Sequence, residues 1–292
     1  MTWIPGGKFS MGSEDFYPEE RPVRHVSVEG FWIDERPVIA AEFRRFVRET
    51  KYVTLAERPL PAENYPDADP DLLVPGSLVF RKSTGPVALD DYRNWWEYVP
   101  GAYWKRPAGP GSTINGRDHH PVVHVAYEDV QAYAGWAGKE LPTEAEWERA
   151  ARGGLEGAVF AWGDEHFPGG QAMANTWQGE FPWQNLKVDG HEGTSPVGSF
   201  PPNGYGLYDM TGNVWEWTCD LFDSAPAEEI ESPCCAPASE PGERFPRRVI
   251  KGGSHLCAPN YCLRYRPSAR QSQMIETSTG HLGFRCIVRD GG

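Results

Sequence analysis

The chain has 292 residues, a formal net charge of -13 and a pI near 5.1, so it lacks the basic footprint that a nucleic-acid partner requires. No stretch approaches the roughly 20 apolar residues of a membrane helix, which excludes a membrane span. The opening Met1-Thr2-Trp3-Ile4-Pro5-Gly6-Gly7 lacks the basic and apolar regions of a signal peptide, and a cytoplasmic protein is expected.

Aromatic residues make up 13% with 12 Trp, so much of the core must be built from large rings. The 32 Gly and 27 Pro argue against long helices or strands and for turn-linked irregular structure. In chain order, Val23, His25, Val26, Val28, Phe31 and Ile33 alternate across residues 23–34 as a strand does, and Ile39, Phe43, Phe46 and Val47 then recur at helical spacing. Residues 56–77, rich in Pro and Asp, read as a long loop. Trp95, Trp96, Tyr98, Tyr103 and Trp104 read as core or groove lining. Val122, Val123 and Val125 lead into a helix with Val130, Tyr133, Ala134 and Ala137 on one face. In Pro142-Thr143-Glu144-Ala145-Glu146-Trp147-Glu148, Thr143 and Glu146 match a capping box, and Arg152-Gly153-Gly154 supplies the helix exit. Short strands and turns follow. With no repeat and no linker between two cores, the chain reads as one compact, loop-rich α+β domain over residues 1–292, with a surface insertion at 224–246.

His119, His120 and His124 lie close together without the completing ligand of a catalytic zinc site, and a core or surface role is expected. Two stretches could offer oxygen to a hard cation. One runs from Asn175-Thr176 to Asp189-Gly190-His191, the other from Asp209 through Gly212, Asn213 and Val214 to Glu216. On composition alone, Asx-turns and solvated loop carboxylates are the better account. Of the six cysteines, at 219, 234, 235, 257, 262 and 286, the first pair in sequence contact, Cys234-Cys235, falls in the insertion and is not expected to be catalytic. Six are too few for a disulfide scaffold at this length, and in a reducing cytosol most would be free thiols.

The chemistry concentrates in Gly252-Gly253-Ser254-His255-Leu256-Cys257-Ala258-Pro259-Asn260-Tyr261-Cys262-Leu263-Arg264-Tyr265-Arg266. Two converging thiolates without histidines suit a soft, low-coordinate ion such as Cu(I). Arg264 and Arg266 are the cationic neighbours that favour thiolates. The C-x4-C spacing also fits two buried structural cysteines or a local disulfide.

Pro5-Gly6-Gly7-Lys8-Phe9-Ser10-Met11-Gly12, His120-Pro121-Val122-Val123-His124-Val125, the run from Trp136 to Glu148, Pro202-Asn203-Gly204-Tyr205-Gly206-Leu207-Tyr208, Gly212-Asn213-Val214-Trp215-Glu216-Trp217 and Gly283-Phe284-Arg285-Cys286 stand in one order along the chain. Together with the cysteine segment they resemble the formylglycine-generating enzymes, copper-dependent sulfatase-activating oxidases, over nearly the whole length. The resemblance implies an α+β fold distantly like C-type lectins. It also implies that Cys257 and Cys262 hold Cu(I) as a near-linear bis-thiolate, that a substrate cysteine enters as third ligand, and that O2 is the co-substrate. The substrate class so implied is an unfolded sulfatase-type peptide with Cys-x-Pro-x-Arg, whose cysteine becomes Cα-formylglycine. Ser254 matches the serine beside the reactive cysteines, and Trp215 and Tyr261 match the substrate-cysteine pocket. The two oxygen-rich stretches coincide with two structural calcium sites of the family. Asn175, Thr176, Asp189 and His191 match one, with Thr176 and His191 acting through backbone oxygen. Asp209, Gly212, Val214 and Glu216 match the other, with Gly212 and Val214 acting through carbonyls.

The sequence also departs from the family wording. Ala134 and Pro267 stand where some secreted relatives have disulfide cysteines, and Val38-Ile39-Ala40-Ala41 replaces a more usual Val-Thr-Asn. Residues 271–278 lack the usual Asn-Thr-Pro-Asp-Ser-Ser wording beside the peptide groove. A non-catalytic peptide- or glycan-binding module of the same fold is the alternative, although loss of one thiol would be expected there and both are present. A sulfoxide synthase of thiohistidine biosynthesis would need an upstream histidine-rich helical domain. Nothing suggests a self-complementary surface, and a monomer is expected.

Overall fold

The computed structural model describes residues 1–66, 73–222 and 246–289. The proposed insertion at 224–246, with Cys234 and Cys235, lies outside the described residues apart from Pro246. Among the described residues, three short α-helices and eleven short strands make an α+β fold. The helices are α1 (Ala40–Thr50), α2 (Tyr127–Trp136) and α3 (Glu144–Arg152). The strands are β1 (Thr2–Ile4), β2 (Gly7–Met11), β3 (Arg24–Val28), β4 (Phe31–Ile33), β5 (Gly76–Phe80), β6 (Trp96–Pro100), β7 (Trp215–Leu221), β8 (Arg247–Lys251), β9 (Arg270–Met274), β10 (Leu282–Gly283) and β11 (Ile287–Arg289).

The strands form four small sheets, in the orders β1-β4-β11, β10-β7-β8-β9, β2-β3 and β5-β6. Residues 23–34 are therefore two strands in different sheets, not the single strand their alternation suggests. The break falls at Glu29-Gly30. There Gly30 lies against the Trp3 indole so closely that a Cβ would come 2.3 Å from Trp3 Cζ2, and the chain turns from pairing with β2 to pairing with β1. The described part of the expected loop carries 3-10 turns at Leu55–Glu57, which begins one residue before it, and at Ala62–Asn64, and its last two residues, Gly76 and Ser77, belong to β5.

Helix α3 forms where local chemistry prescribes it. Thr143 Oγ1 accepts from the Glu146 backbone N–H at 3.1 Å, Glu146 Oε2 accepts from the Thr143 N–H at 2.7 Å, and Gly153 leaves the helix at φ 58°. Replacing Thr143 with Ala is expected to cost about 1 kcal/mol, the usual value of an N-cap oxygen, measured as a shift in urea midpoint at unchanged slope. The helix packs Trp147 into a core with Ile4, Phe9, Phe31, Ile33 and Ile287. On the same helix, buried Glu148 accepts from Lys251 Nζ at 2.9 Å, Arg152 Nη2 at 2.7 Å and Gly12 N–H at 2.8 Å, so β8 and the N-terminal segment are tied to one carboxylate. A second core joins Phe43, Phe46, Tyr133, Trp215, Trp217 and Phe284 to Cys257 and Cys262. A third, of Trp95, Trp96, Trp177, Phe181 and Leu256, lies alongside the cysteine loop.

Candidate active site

The cysteine loop is closed by two glycines. Gly252 and Gly253 take φ of 93° and 68°, values that glycine adopts at little steric cost. A Cβ on Gly253 would also lie 2.8 Å from the Arg264 carbonyl. The chain leaving β8 thus runs directly against residues 264–265, and residues 254–263 form a loop between them. Inside it, Cys257 N–H donates to Ser254 O at 3.0 Å, while Tyr261 and Cys262 N–H donate to Ala258 O at 3.1 and 2.7 Å. Those turns bring Cys257 Sγ and Cys262 Sγ to 3.1 Å, at 1% and 0% exposure. The separation is well beyond the roughly 2.05 Å of a disulfide, so the two residues are thiols that converge on one point.

The wall beside the thiols is aromatic. A small cavity there is lined by Trp95, Trp96, Phe181, Ser254, Leu256, Cys257, Tyr261 and His281. Tyr261 stacks on Phe181 with centroids 4.5 Å apart, and Trp95 meets its edge at 5.3 Å. The tryptophans read from sequence as core or groove lining are here both. Trp215 is fully buried in the core that contains both cysteines, and its Nε1–H has no hydrogen-bond partner among the described residues. The Tyr265 hydroxyl likewise has none. Burial, followed by the nearby Cys257 and Cys262, pushes the Tyr265 phenol well above its ordinary range and keeps it a neutral O–H donor. Two buried soft donors that share a core with aromatic rings, and with N–H and O–H groups lacking partners among the described residues, fit a soft cation held by thiolate.

Arg264 and Arg266 differ from their sequence expectation as activators of the thiols. Arg264 Nη2 donates to Glu19 Oε1 at 2.5 Å and stacks over Tyr17 at 3.7 Å. Arg266 grips Glu20 with both terminal nitrogens and lies 3.6 Å over Phe16. Their charges are matched by the N-terminal segment, which clamps the irregular segment leaving Cys262.

The oxygen-rich stretches meet each other and the cysteine loop. Asp189 Oδ2 accepts from Thr176 N–H at 3.2 Å and Oδ1 from His191 N–H at 2.9 Å. Asn175 O accepts from Asn213 N–H at 2.8 Å, Asn213 O accepts from His255 N–H at 3.0 Å, and Trp177 N–H donates to Cys257 O at 3.0 Å. Asp209, at φ 51°, accepts from Gly198 N–H at 2.7 Å, and burial raises its carboxyl. Gly212 N–H donates to Gly252 O at 2.9 Å, and Val214 is buried beside them. Glu216 is matched by Arg285 Nε at 2.7 Å, Arg285 Nη2 at 2.8 Å and Trp147 Nε1 at 2.8 Å. Asp189 in one stretch and Asp209 in the other, each with nearby carbonyls, offer oxygens of the type calcium takes. Glu216 retains the least acceptor capacity, because a buried guanidinium already covers both oxygens. Among the described residues, no three His, Cys, Asp or Glu side chains converge on one point.

A larger cavity, about 200 Å³, is lined in part by residues 276–278. Leu55, Leu60, Leu78, Tyr98 and Met274 give it apolar walls, and Glu276 and Arg58 give it charge. Glu276 accepts from the Tyr65 hydroxyl. Behind it, Ser77 Oγ lies 2.7 Å from His124 Nδ1 and donates within reach of Ser278 O at 2.7 Å. His124 is buried, the core role expected of it, and burial pushes its pKa down to about 4 from 6.5. Below pH 6.5 the unfolded chain binds a proton that the native imidazole refuses until about pH 4, so this group's contribution is lost as pH falls through that window. Asp129, raised to about 6 by burial, acts in the opposite sense between pH 3.8 and 6. The difference between wild type and His124→Gln isolates the histidine. On going from pH 7 to pH 5, wild type should lose about 2 kcal/mol more than the variant by urea unfolding, at 1.36 kcal/mol per pKa unit.

His281, Phe181, Glu19 and Glu20 are site residues that the sequence reading passed over. His281 and Phe181 carry no local motif, and the two glutamates lie some 245 positions from their partners.

A family profile described as Sulfatase-modifying factor enzyme 1-like domain matches residues 1–290. The chain is 54% identical over 290 residues to the formylglycine-generating enzyme of Mycobacterium tuberculosis, covering 98% of this chain and 96% of that protein. It is 39% identical over 306 residues to bovine inactive C-alpha-formylglycine-generating enzyme 2, covering 100% and 86%. Among solved structures, PvdO from Pseudomonas aeruginosa is similar with a TM-score of 0.63 and 26% identity, covering 98% of this chain and 92% of that one. By profile, by relatives and by fold, the chain belongs to the sulfatase-modifying factor enzyme 1-like family.

Proposed function

We propose that this chain is a copper-dependent oxidase that converts a peptidyl cysteine within Cys-x-Pro-x-Arg to Cα-formylglycine, with sulfatases as its client class. The observation that carries this is the pair of buried sulfurs 3.1 Å apart, one of which, Cys257, lines an aromatic cavity, in a chain 54% identical to a formylglycine-generating enzyme.

Cys257 and Cys262 are the residues that would hold copper, and a substrate thiol entering through the cavity beside Cys257 would complete a three-sulfur set. When bound, Cu(I) supplies the one-electron chemistry with O2 that amino-acid side chains lack. The protein's part is positioning. Trp95, Trp96, Phe181 and Tyr261 exclude water, Ser254 borders Cys257, and Trp215 and Tyr265 offer donors in the same core. The overall change replaces CH2–SH by CH=O. With O2 as oxidant, and sulfide and water as the other products, it consumes two electrons and two protons, so a thiol reductant belongs in the assay. Glu276, in the larger cavity, offers a carboxylate to the peptide's arginine. Under air, reductant and Cu(I), a peptide containing Cys-Thr-Pro-Ser-Arg should be converted to the aldehyde, and replacing its arginine with glutamate should lower kcat/KM at least tenfold. Equal conversion of both peptides would remove Glu276 from the site.

Calcium, on this proposal, is structural, held by Asn175, Thr176, Asp189 and His191 and by Asp209, Gly212, Val214 and Glu216. A ligand bound only to the folded state stabilises it by mass action, so chelation should lower the melting temperature by several degrees and restoring calcium should recover it. A melting temperature indifferent to both treatments would remove the ions from the proposal. A cytoplasmic monomer in a reducing compartment would keep both thiols available. The bovine relative named as inactive motivates a second reading, a binding module of the same fold. That module would bind peptide without converting it.

A further inference from the structure

His281 belongs to no motif, yet it shares the cavity wall with Cys257. Its backbone carbonyl accepts from Trp215 N–H at 2.9 Å, which fixes it at the junction of β10 and β7. Its ring is 1% exposed, meets the edge of Trp96 at 4.8 Å between centroids, and places Nδ1 3.1 Å from Ser254 Oγ. Ser254 is fully buried. Among the described residues its hydroxyl oxygen has two partners, the Leu256 N–H at 3.2 Å and His281 Nδ1. Leu256 N–H can only donate, so of these two partners Nδ1 is the one able to accept the hydroxyl hydrogen, which it does in the tautomer that carries its own hydrogen on Nε2. The Ser254 backbone cannot shift to relieve this arrangement. It follows the two left-handed glycines, donates its own N–H to Cys257 Sγ at 3.4 Å, and accepts Cys257 N–H through its carbonyl.

We propose that His281 is a positioning residue for the thiol site: by taking the Ser254 hydroxyl hydrogen, it keeps that hydrogen off Cys257 Sγ and leaves the sulfur's lone pairs for the soft metal. This rests on the copper reading of the cysteine pair. Cys257 Sγ already lies 3.4 Å from the Ser254 backbone nitrogen, and without the Nδ1 acceptor the hydroxyl hydrogen would be left to turn toward that sulfur and compete with metal for it. Asparagine places an amide oxygen near the position of Nδ1 and would take over the acceptor role, whereas leucine fills the space without accepting.

The test is Cu(I) affinity, measured by competition with a chromogenic chelator on the full chain, for wild type, H281L, H281N and the double variant S254A/H281L. H281L should bind Cu(I) about tenfold more weakly than wild type. H281N should return to within threefold, and so should S254A/H281L, which has no hydroxyl hydrogen left to compete. Rescue by deleting a second polar group is not what packing damage produces. If the double variant is as weak as H281L, or if H281L matches wild type, His281 has no such role. Absence of Cu(I) uptake by wild type would overturn the copper reading and this proposal together, and uptake by wild type without the rescue pattern would overturn this proposal alone.

Discussion

Replacing either Cys257 or Cys262 with serine is expected to abolish stoichiometric Cu(I) uptake and to lower peptide conversion by at least a thousandfold. The expectation follows from coordination chemistry: a hydroxyl is a hard, weakly acidic donor, and one remaining thiolate leaves a soft ion without its second ligand. Both side chains are buried, at 1% and 0% exposure, so no neighbouring solvent ligand is available to substitute. Each variant should still fold, because serine is nearly isosteric and the turns that shape the loop are backbone hydrogen bonds to Ser254 O and Ala258 O. Circular dichroism and thermal melts would check that. Either variant retaining full activity would remove the thiol pair from the catalytic site, whatever the family relationship.

The second large effect is on stability. Glu20→Gln is expected to destabilise the fold by about 3 kcal/mol, within the usual range for breaking a buried ion pair. Arg266 is fully buried and donates to Glu20 Oε2 at 2.9 Å, and Ser268 Oγ donates to the same oxygen at 2.9 Å. Neutralising the carboxylate leaves the guanidinium buried over Phe16 without its counter-charge, and replaces one of the two accepting oxygens by an NH2 donor that faces Arg266 and Ser268. Urea unfolding at constant slope gives the number. A change below about 0.5 kcal/mol, the level of an ordinary surface substitution, would mean that the clamp on the cysteine segment is energetically idle. Because that segment continues directly from Cys262, Glu20→Gln should also weaken Cu(I) binding.

What was legible in the sequence was local. The capping box of α3, the glycine exit at 153 and the helical spacing of α1 each depend on residues within a few positions of one another, and each appears at its place. The cysteine loop could be named because its glycines, serine and thiols are contiguous. Long-range matching was not legible. That Arg264 and Arg266 face Glu19 and Glu20, and so do not act as bare cations beside the thiols, depends on bringing the two ends of the chain together. The break between β3 and β4 arises from the packing of Gly30 on Trp3, which alternation of hydrophobic residues cannot reveal. His281 has no signature of its own, and it matters only because β10 pairs in parallel with β7 and places it against Ser254. The oxygen-rich stretches were visible as composition, but their contact through Asn175 and Asn213 with the cysteine loop was not.

The most direct measurement is mass spectrometry of a Cys-Thr-Pro-Ser-Arg peptide incubated under air and thiol reductant with wild-type protein, with and without one equivalent of Cu(I). Conversion of the cysteine to an aldehyde only in the copper-loaded sample, and its loss on replacement of Cys257 or Cys262, is the expected result. Copper bound at both thiols with the peptide bound and unchanged would contradict it and identify the chain as a binding module of this family.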